Sequence, residues 1–378
     1  MFLTGALGSE IELHLHLSSV QLGILVADYF LFAAASSFGF KFLTDTRPPL
    51  KVMSYGLCTT SVGTLLIAID ARHFYLFLIW LAICGVAAGI IQPATNAFLS
   101  QEINQSKQGI AFGIKQSGTP ASTLLGGLAL PLIALTIGWE FAYALAFILS
   151  LLCLILILIK VVMGKSQSVI PISKSEMTLR VGQKFKTQMS GLTLVTVGIG
   201  LGSGTANTYG AFFVSSNIKA GFNPKFIGYL FAFSSVMNLI TRVILGNKAD
   251  RKHLNKYPMV LNWVAVMFLV GSIGYLLQMF HNIALITFGS LTAAILGWGW
   301  PGLTNLAVVR RFPEFAHRAT GISQSGVFLG AMAGPMVFGI LDSNVSTKLA
   351  WAVNCGLALL AGLTIFLGNK RLNEKGVN

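Results

Sequence analysis

Charged residues are scarce in this chain: Asp, Glu, Lys and Arg make up 10% of its 378 residues, and hydrophobic ones 54%. Soluble domains carry about 25% charge, so a water-facing globule is excluded. The apolar residues come in blocks of roughly 18 to 25, the length that crosses ~30 Å of hydrocarbon at 1.5 Å per residue. Acids are scarcer than bases, 12 against 26. The bases are spread over short loops and form no single basic module, which excludes a nucleic-acid partner. Cys58, Cys84, Cys153 and Cys355 each lie alone in an apolar block. They set neither a disulfide framework nor a metal-ligand spacing, and read as small buried hydrophobes.

Enzymatic signatures are missing as well. No paired carboxylates, Ser/His/Asp set or metal cluster falls at membrane depth, and no nucleotide-binding motif is visible. Gly198, Gly200, Gly202 and Gly204 have no Lys-Ser/Thr after them and sit inside an apolar segment. They read as a helix-packing seam, as do Gly85 and Gly89, rather than a phosphate loop. His14 and His16 beside Glu10 and Glu12 are set aside as a metal site. No cofactor is expected. The expected partners are a small-molecule substrate and the lipid bilayer, and the chain is read as a monomer.

What is present is a series of eleven apolar segments, at about 20–43, 52–70, 74–99, 109–136, 138–163, 189–216, 226–246, 257–279, 282–309, 319–341 and 345–368. The expected fold class is therefore an all-α integral membrane protein. Alternate loops are unequal in charge. One side collects Lys41, Arg47, Lys51, Lys107, a run from Lys160 to Lys186, Lys248, Arg251, Lys252, Lys256, Arg310, Arg311, Arg318, Lys370, Arg371 and Lys375. The other has Arg72, Lys219, Lys225 and Lys348. The positive-inside rule makes the first side, and the C-terminus, cytoplasmic, and predicts a multi-pass protein of the cell's inner (plasma) membrane.

A basic stretch containing Pro171, residues 164–188, divides the membrane portion. Residues 1–163 then form an N-terminal bundle, 164–188 a cytoplasmic linker, 189–368 a C-terminal bundle and 369–378 a tail. The halves echo each other. Gly113-Ile-Lys-Gln-Ser-Gly118 matches Gly321-Ile-Ser-Gln-Ser-Gly326. Gly89, Pro93, Thr95 and Asn96 correspond to Gly297, Pro301, Thr304 and Asn305 with one residue of slippage, and Asp45 corresponds to Asp250. Both Asp loops fall on one side, which makes the halves parallel repeats about an axis along the membrane normal. Such repeats form two bundles with a substrate site between them.

Gly246-Asn-Lys-Ala-Asp250-Arg251-Lys252 fits the G-x-x-x-D-R-[KR] loop between the second and third helices of each half in the major facilitator superfamily. The first-half copy is degraded, with Lys41 in the Gly position, Asp45 kept, and Thr46 and Pro48 replacing Arg and Gly. The chain thus resembles that superfamily over nearly its whole length. The resemblance implies a twelve-helix fold, which makes segment 20–43 the second helix and residues 1–11 the outer end of a first helix whose body is absent. It also implies a cytoplasmic gate built on Asp45, Arg242, Gly246, Asp250 and Arg251. GIKQSGTP followed by Gly126, Gly127, Pro131 and Gly138-Trp139 is similar to the cyanate-permease-like branch, which implies a small anion or other small polar compound. Glu140 departs from the Arg that branch often has there.

Ionisable groups inside a membrane are functional candidates by default. Lys115 lies about six residues into its helix, roughly 9 Å from the cytoplasmic end, where it either binds an anionic substrate with Gln116 or snorkels to the headgroups. Arg242, one turn before Gly246, either pairs with an acid of the gate or supplies a second anion contact. Asp28 is the one clear intramembrane acid, a proton-coupling group or a packing residue. Gln92, Asn96, Asn305 and Gln324 on the repeated segments, with Asn207 and Tyr209, complete the expected substrate contacts; Asn238 is a weaker candidate. Trp298 and Trp300 beside Pro301 mark a broken helix that shapes either a pocket or a packing kink. The expected activity is secondary active transport of a small polar, anionic solute by alternating access, driven by a proton or solute gradient. The competing classes are a drug or metabolite exporter and a non-transporting receptor on the same fold. An echo of the antiporter pattern at Gly118-Thr-Pro120 and Gly126-Gly127 is too loose to favour export.

Overall fold

The structure is a computed structural model that describes residues 1–39, 47–103, 107–163, 179–249, 257–312 and 316–374. Asp45, Asp250 and Arg251 of the expected gate, and residues 164–178 of the linker, lie outside the described residues.

Among the described residues, eleven helices are long and apolar enough to cross a membrane. In chain order, two short turns, α1 (Phe2–Ala6) and α2 (Gly8–Leu15), precede α3 (Ser19–Gly39), α4 (Pro49–Asp70) and α5 (Phe74–Glu102). The next span is interrupted at Ser117 into α6 (Gln108–Gln116) and α7 (Gly118–Ala129), then widens through a π-helical segment at Leu130–Ala134 into α8 (Leu135–Ile137). It is followed by α9 (Glu140–Val162), α10 (Leu179–Lys219), α11 (Pro224–Ala249) and α12 (Tyr257–Leu276). The tenth crossing is α13 (Ile283–Thr292), a π-helical segment at Ala293–Gly297 and α14 (Pro301–Arg311); α15 (Ala316–Asn344) and α16 (Thr347–Glu374) complete the chain.

Helix α10 begins at Leu179, ten residues ahead of its apolar segment. Hydropathy locates where a helix enters lipid; its backbone hydrogen bonds continue wherever they can be made. Mean hydropathy also tracks position in the bundle. The α9 span has a mean hydropathy of 3.1 and none of its most apolar stretch is buried in protein, whereas the α10 span has 1.2 and is 61% buried. Lipid selects apolar side chains on α9. On α10, neighbouring helices accept the small and polar side chains that lipid would reject.

Close backbone contacts fix the central seam. A methyl group added at Gly330 of α15 would lie 1.8 Å from the Gly200 carbonyl oxygen of α10. Only glycine fits at that distance, in agreement with the seam expected for the Gly198–Gly204 run. Helices α3 and α15 approach in the same way, where a methyl at Gly339 would lie 2.5 Å from the Ser19 carbonyl.

The cores show where the halves are joined. The largest buried cluster lies toward the face opposite the basic loops. It mixes both halves, running from Ala6, Ile11 and Leu22 through Trp139 to Phe212, Phe231, Trp298 and Trp351. Toward the basic loops the cores are separate: Leu192, Val260, Phe268, Trp300 and Ile365 form one in the second half, and Val52, Ile90 and Ala94 a small one in the first. The halves therefore share one core on one face and keep separate cores toward the other, where α6 and α11 still touch at Gly113 and Gly246.

Candidate functional site

Lys115 lies on the last turn of α6, facing α5 across the first half. Its ammonium donates to Gln92 Oε1, through a short hydrogen bond, and to Asn96 Oδ1 at 2.9 Å. Gln92 and Asn96 are four residues apart on a helix and so share a face, and both are exposed. Three of the expected substrate contacts thus come together. Both acceptors are neutral amides, and among the described residues no carboxylate pairs with this ammonium; the ion pairs there all involve Lys219. Each amide that accepts through its oxygen turns its NH2 donors away from the lysine. The cluster therefore presents one positive charge flanked by amide donors, the chemistry of an anion receptor.

Arg242 is handled differently. It is 3% exposed, on α11. Its Nε donates to Asn238 Oδ1 at 2.9 Å, its Nη1 to the Gln116 carbonyl and its Nη2 to the Trp298 carbonyl at 2.7 Å. Those carbonyls are free because helical pairing fails there; Pro120, four residues beyond Gln116, has no N–H to donate to it. Gln116 ends α6 at the Ser117 break, and Trp298 follows the π-helical segment that interrupts the tenth crossing. A guanidinium at such ends is stabilised by unpaired carbonyls and by the negative end of the helix dipole. Arg242 is thus satisfied by backbone oxygens of two other helices, one from the opposite half. Gly113 sits beside it, where an added methyl would lie 3.2 Å from the Arg242 carbonyl and 3.7 Å from Gly246 Cα. Gly246 accordingly lies at the contact between α6 and α11.

Other expected contacts are placed apart from Lys115. Tyr209 is 1% exposed, and its hydroxyl pairs with Ser290 Oγ at 2.7 Å, which in turn meets Ser234 Oγ at 2.7 Å. Asn207 is buried and donates to the Ser203 carbonyl at 2.8 Å. In this structure both belong to the packed interior, where their polar groups are used within the bundle. Asn305 and Gln324 are half-buried, and among the described residues neither hydrogen-bonds to Lys115. Trp298 and Trp300 are both buried, so the break itself is packed in this structure. Asp28 is partly buried, roughly nine residues or 13 Å along α3 from Ser19, and its Oδ2 is enclosed without a hydrogen-bond partner.

The site that sequence reading missed lies on the face opposite the basic loops. Lys219 pairs with Glu12 Oε2 at 3.0 Å and Asp342 Oδ2 at 3.5 Å. Ser19 Oγ donates to Asp342 Oδ2 at 2.7 Å and stands 3.2 Å from Glu12 Oε1, while Lys219 also donates to Ser19. Thr347 donates to Asp342 Oδ1. Sequence separations of 207 and 323 residues bring this network together; beforehand Lys219 stood out only as a base on the base-poor side, and Glu12 only beside the histidine pair.

Parallel halves, broken helices in the first and second bundles and an unneutralised cation at membrane depth define a solute carrier rather than a catalyst. The profile of the Major Facilitator Superfamily matches residues 1–314 and 221–377, and the chain belongs to that family. It is a multi-pass membrane transporter and not an enzyme. It is 24% identical over 378 residues, 95% of this chain and 90% of the relative, to "Multidrug resistance protein MdtG" of Escherichia coli O6:K15:H31 (strain 536 / UPEC). Among solved structures it is similar to a bacterial homologue of the human lysosomal transporter Spinster, described as inward-facing and unoccupied, with TM-score 0.73 and 14% identity over 99% of this chain and 94% of that one. It is also similar to the human organic anion transporter MFSD10 (TETRAN), with TM-score 0.64 and 15% identity over 92% and 83% of the two chains.

Proposed function

We propose that this transporter carries a small anionic solute, bound by the Lys115 ammonium with the amides of Gln92 and Asn96. The observation that carries the reading is an ammonium held by two neutral oxygens, with no acid beside it among the described residues. A buried or half-buried cation is unfavourable without a counter-charge, and an arriving anion supplies one. The hexapeptide around Lys115 and its likeness to the cyanate-permease-like branch support a compact substrate. We read the basic loops and C-terminus as cytoplasmic, in a bacterial-type inner or plasma membrane. The Asp28 carboxyl, whose Oδ2 is enclosed without a hydrogen-bond partner, is the candidate for coupling to a proton gradient.

A second reading is export of drug-like compounds, favoured by the similarity to a multidrug resistance protein at 24% identity. The uncompensated Lys115 disfavours cationic drugs and leaves neutral or acidic ones. The experiment that separates the readings is thermal stability of the purified protein, and of Lys115→Ala, against panels of small anions and of hydrophobic cations. A ligand that binds the folded state raises stability by RT ln(1 + [L]/Kd). Stabilisation by particular anions that vanishes in Lys115→Ala supports the first reading. Stabilisation by cations, unchanged in the variant, replaces it with the second.

A further inference from the structure

On the face opposite the basic loops, each half holds a pocket of similar size. The first, of about 260 Å³, lies where α2 and α4 end and α9 begins. His14, Arg72, Trp139 and Glu140 line it, beside an apolar wall supplied by the end of α4. The second, of about 270 Å³, lies where α10 ends and α16 begins, with the turn after α12 between them. The offset of 208 residues that carries Gly113 to Gly321 also carries Arg72 to Phe280, Trp139 to Thr347 and Glu140 to Lys348. All three counterparts line the second pocket. The shape is thus a product of the repeat. The charges are not: the first pocket holds an acid and a base together, and the second has a base where the first has its acid.

Arg72 and Glu140 line one pocket without pairing, since the ion pairs among the described residues all involve Lys219. Two opposite charges that border one cavity and stay apart are joined by a ligand that carries both signs. The rest of the lining divides in the same way. Trp139 is 2% exposed and held by stacking on Phe77 at 5.7 Å, and its Nε1 is enclosed without a hydrogen-bond partner. An indole N–H only donates. It stands at the start of α9, whose first backbone N–H groups have no acceptor within the helix. With Arg72 these are donors for an oxyanion. Across the pocket α4 ends, and its last carbonyls, at the negative end of the helix dipole, suit a cation. Glu140 adds the counter-charge.

We propose that this pocket binds a compact zwitterion, a primary ammonium joined by a short linker to a phosphate, as in phosphoethanolamine. The phosphate meets Arg72 and the Trp139 N–H, and the ammonium meets Glu140. The site is lined by the first half alone, on the face away from Lys115, so the inference is independent of the transported solute. The same chemistry comes from a lipid headgroup or from a free metabolite, and the surroundings favour the lipid. Ile69 in the lining and Phe141 beside it are 60% and 54% exposed, and the most apolar stretch of α9 is nowhere buried in protein. Acyl chains lying along α9 bring a headgroup to the pocket mouth. A quaternary choline has no N–H to donate to Glu140, and a glycerol headgroup has no cation.

The test uses the full-length protein in micelles doped equally with phosphatidylethanolamine, phosphatidylcholine and phosphatidylglycerol, with retained lipids counted by native mass spectrometry. One phosphatidylethanolamine per protein is expected to be retained in preference to the other two. Arg72→Ala and Glu140→Gln are each expected to weaken that retention by about tenfold, the size of one charge-assisted contact. Lys348→Ala, at the matching position of the second pocket, and Lys115→Ala are expected to keep it. Soluble O-phosphoethanolamine, added to delipidated protein, identifies the source. A rise in melting temperature equal to that given by the lipid assigns the site to a free zwitterion, and a much smaller rise assigns it to the lipid headgroup. In either case the rise is absent from the two variants. Equal retention of all three lipids with no stabilisation by phosphoethanolamine would overturn the proposal, as would undiminished binding in Arg72→Ala and Glu140→Gln. Both side chains lie at the surface, so unliganded melting close to the parent's is expected and shows that the variants are folded.

Discussion

Lys115 and Lys219 are both gripped by side chains of other helices, and they are gripped in opposite ways. Lys219 meets two carboxylates and a hydroxyl from both halves, beside the core the halves share. Lys115 meets two amide oxygens of its own half, on the side where the cores separate. A charge answered by fixed acids has little left to offer a ligand and serves to hold parts together. A charge held by neutral oxygens is oriented without being neutralised, which is what a reversible binding site requires. Arg242 stands between the two cases. It bridges the halves as Lys219 does, but its partners are the carbonyls of interrupted helices and the amide of Asn238.

The comparison breaks most sharply at Lys115. Lys115→Ala is expected to weaken binding of the recognised anion by at least about 30-fold, since removing one partner of a charge-assisted contact costs about 2 kcal/mol or more. Calorimetric titration of parent and variant measures this, with little change in unliganded melting temperature expected. Arg242→Ala is expected to act on stability instead. Two buried carbonyls and the Asn238 oxygen lose their donor together, for about 2–4 kcal/mol. Arg242→Lys should recover less than half of that, because an ammonium cannot reproduce the planar fork. Thermal unfolding without ligand checks both.

Lys219→Ala leaves Glu12 and Asp342 enclosed without a cation. As the lysine is partly exposed, the loss falls between the exposed and buried limits, about 1–3 kcal/mol. A melting temperature that falls further at pH 8 than at pH 5 is expected, because acid discharges the stranded carboxyl. The smallest effect is expected at Tyr209→Phe, about 1 kcal/mol for the lost hydroxyl contacts with Ser290, with anion affinity unchanged. A large loss of affinity there would return Tyr209 to the substrate site.

Much of the architecture was legible because membrane crossings are written in contiguous apolar runs and repeats in local motifs. The eleven segments, the break before Pro301 and the glycine seam all depend on neighbours within a turn or two. The clustering of Lys115 with Gln92 and Asn96 was half legible: each was singled out, but their contact requires the relative rotation of α5 and α6. The burial of Asn207 and Tyr209 was not legible, since a polar residue on an apolar helix reads alike whether it faces a substrate or a serine on the next helix. The Glu12 network left no trace in spacing, because its members lie near the ends of five different helices.

The central claim is that Lys115 binds the transported solute. Its most direct test is uptake of a stabilising anion into proteoliposomes, compared among parent, Lys115→Arg and Lys115→Ala at matched reconstitution. Saturable uptake that persists with an altered half-saturation concentration in Lys115→Arg and is abolished in Lys115→Ala is the predicted result. Undiminished uptake by Lys115→Ala would contradict the claim and move the substrate site elsewhere between the two halves.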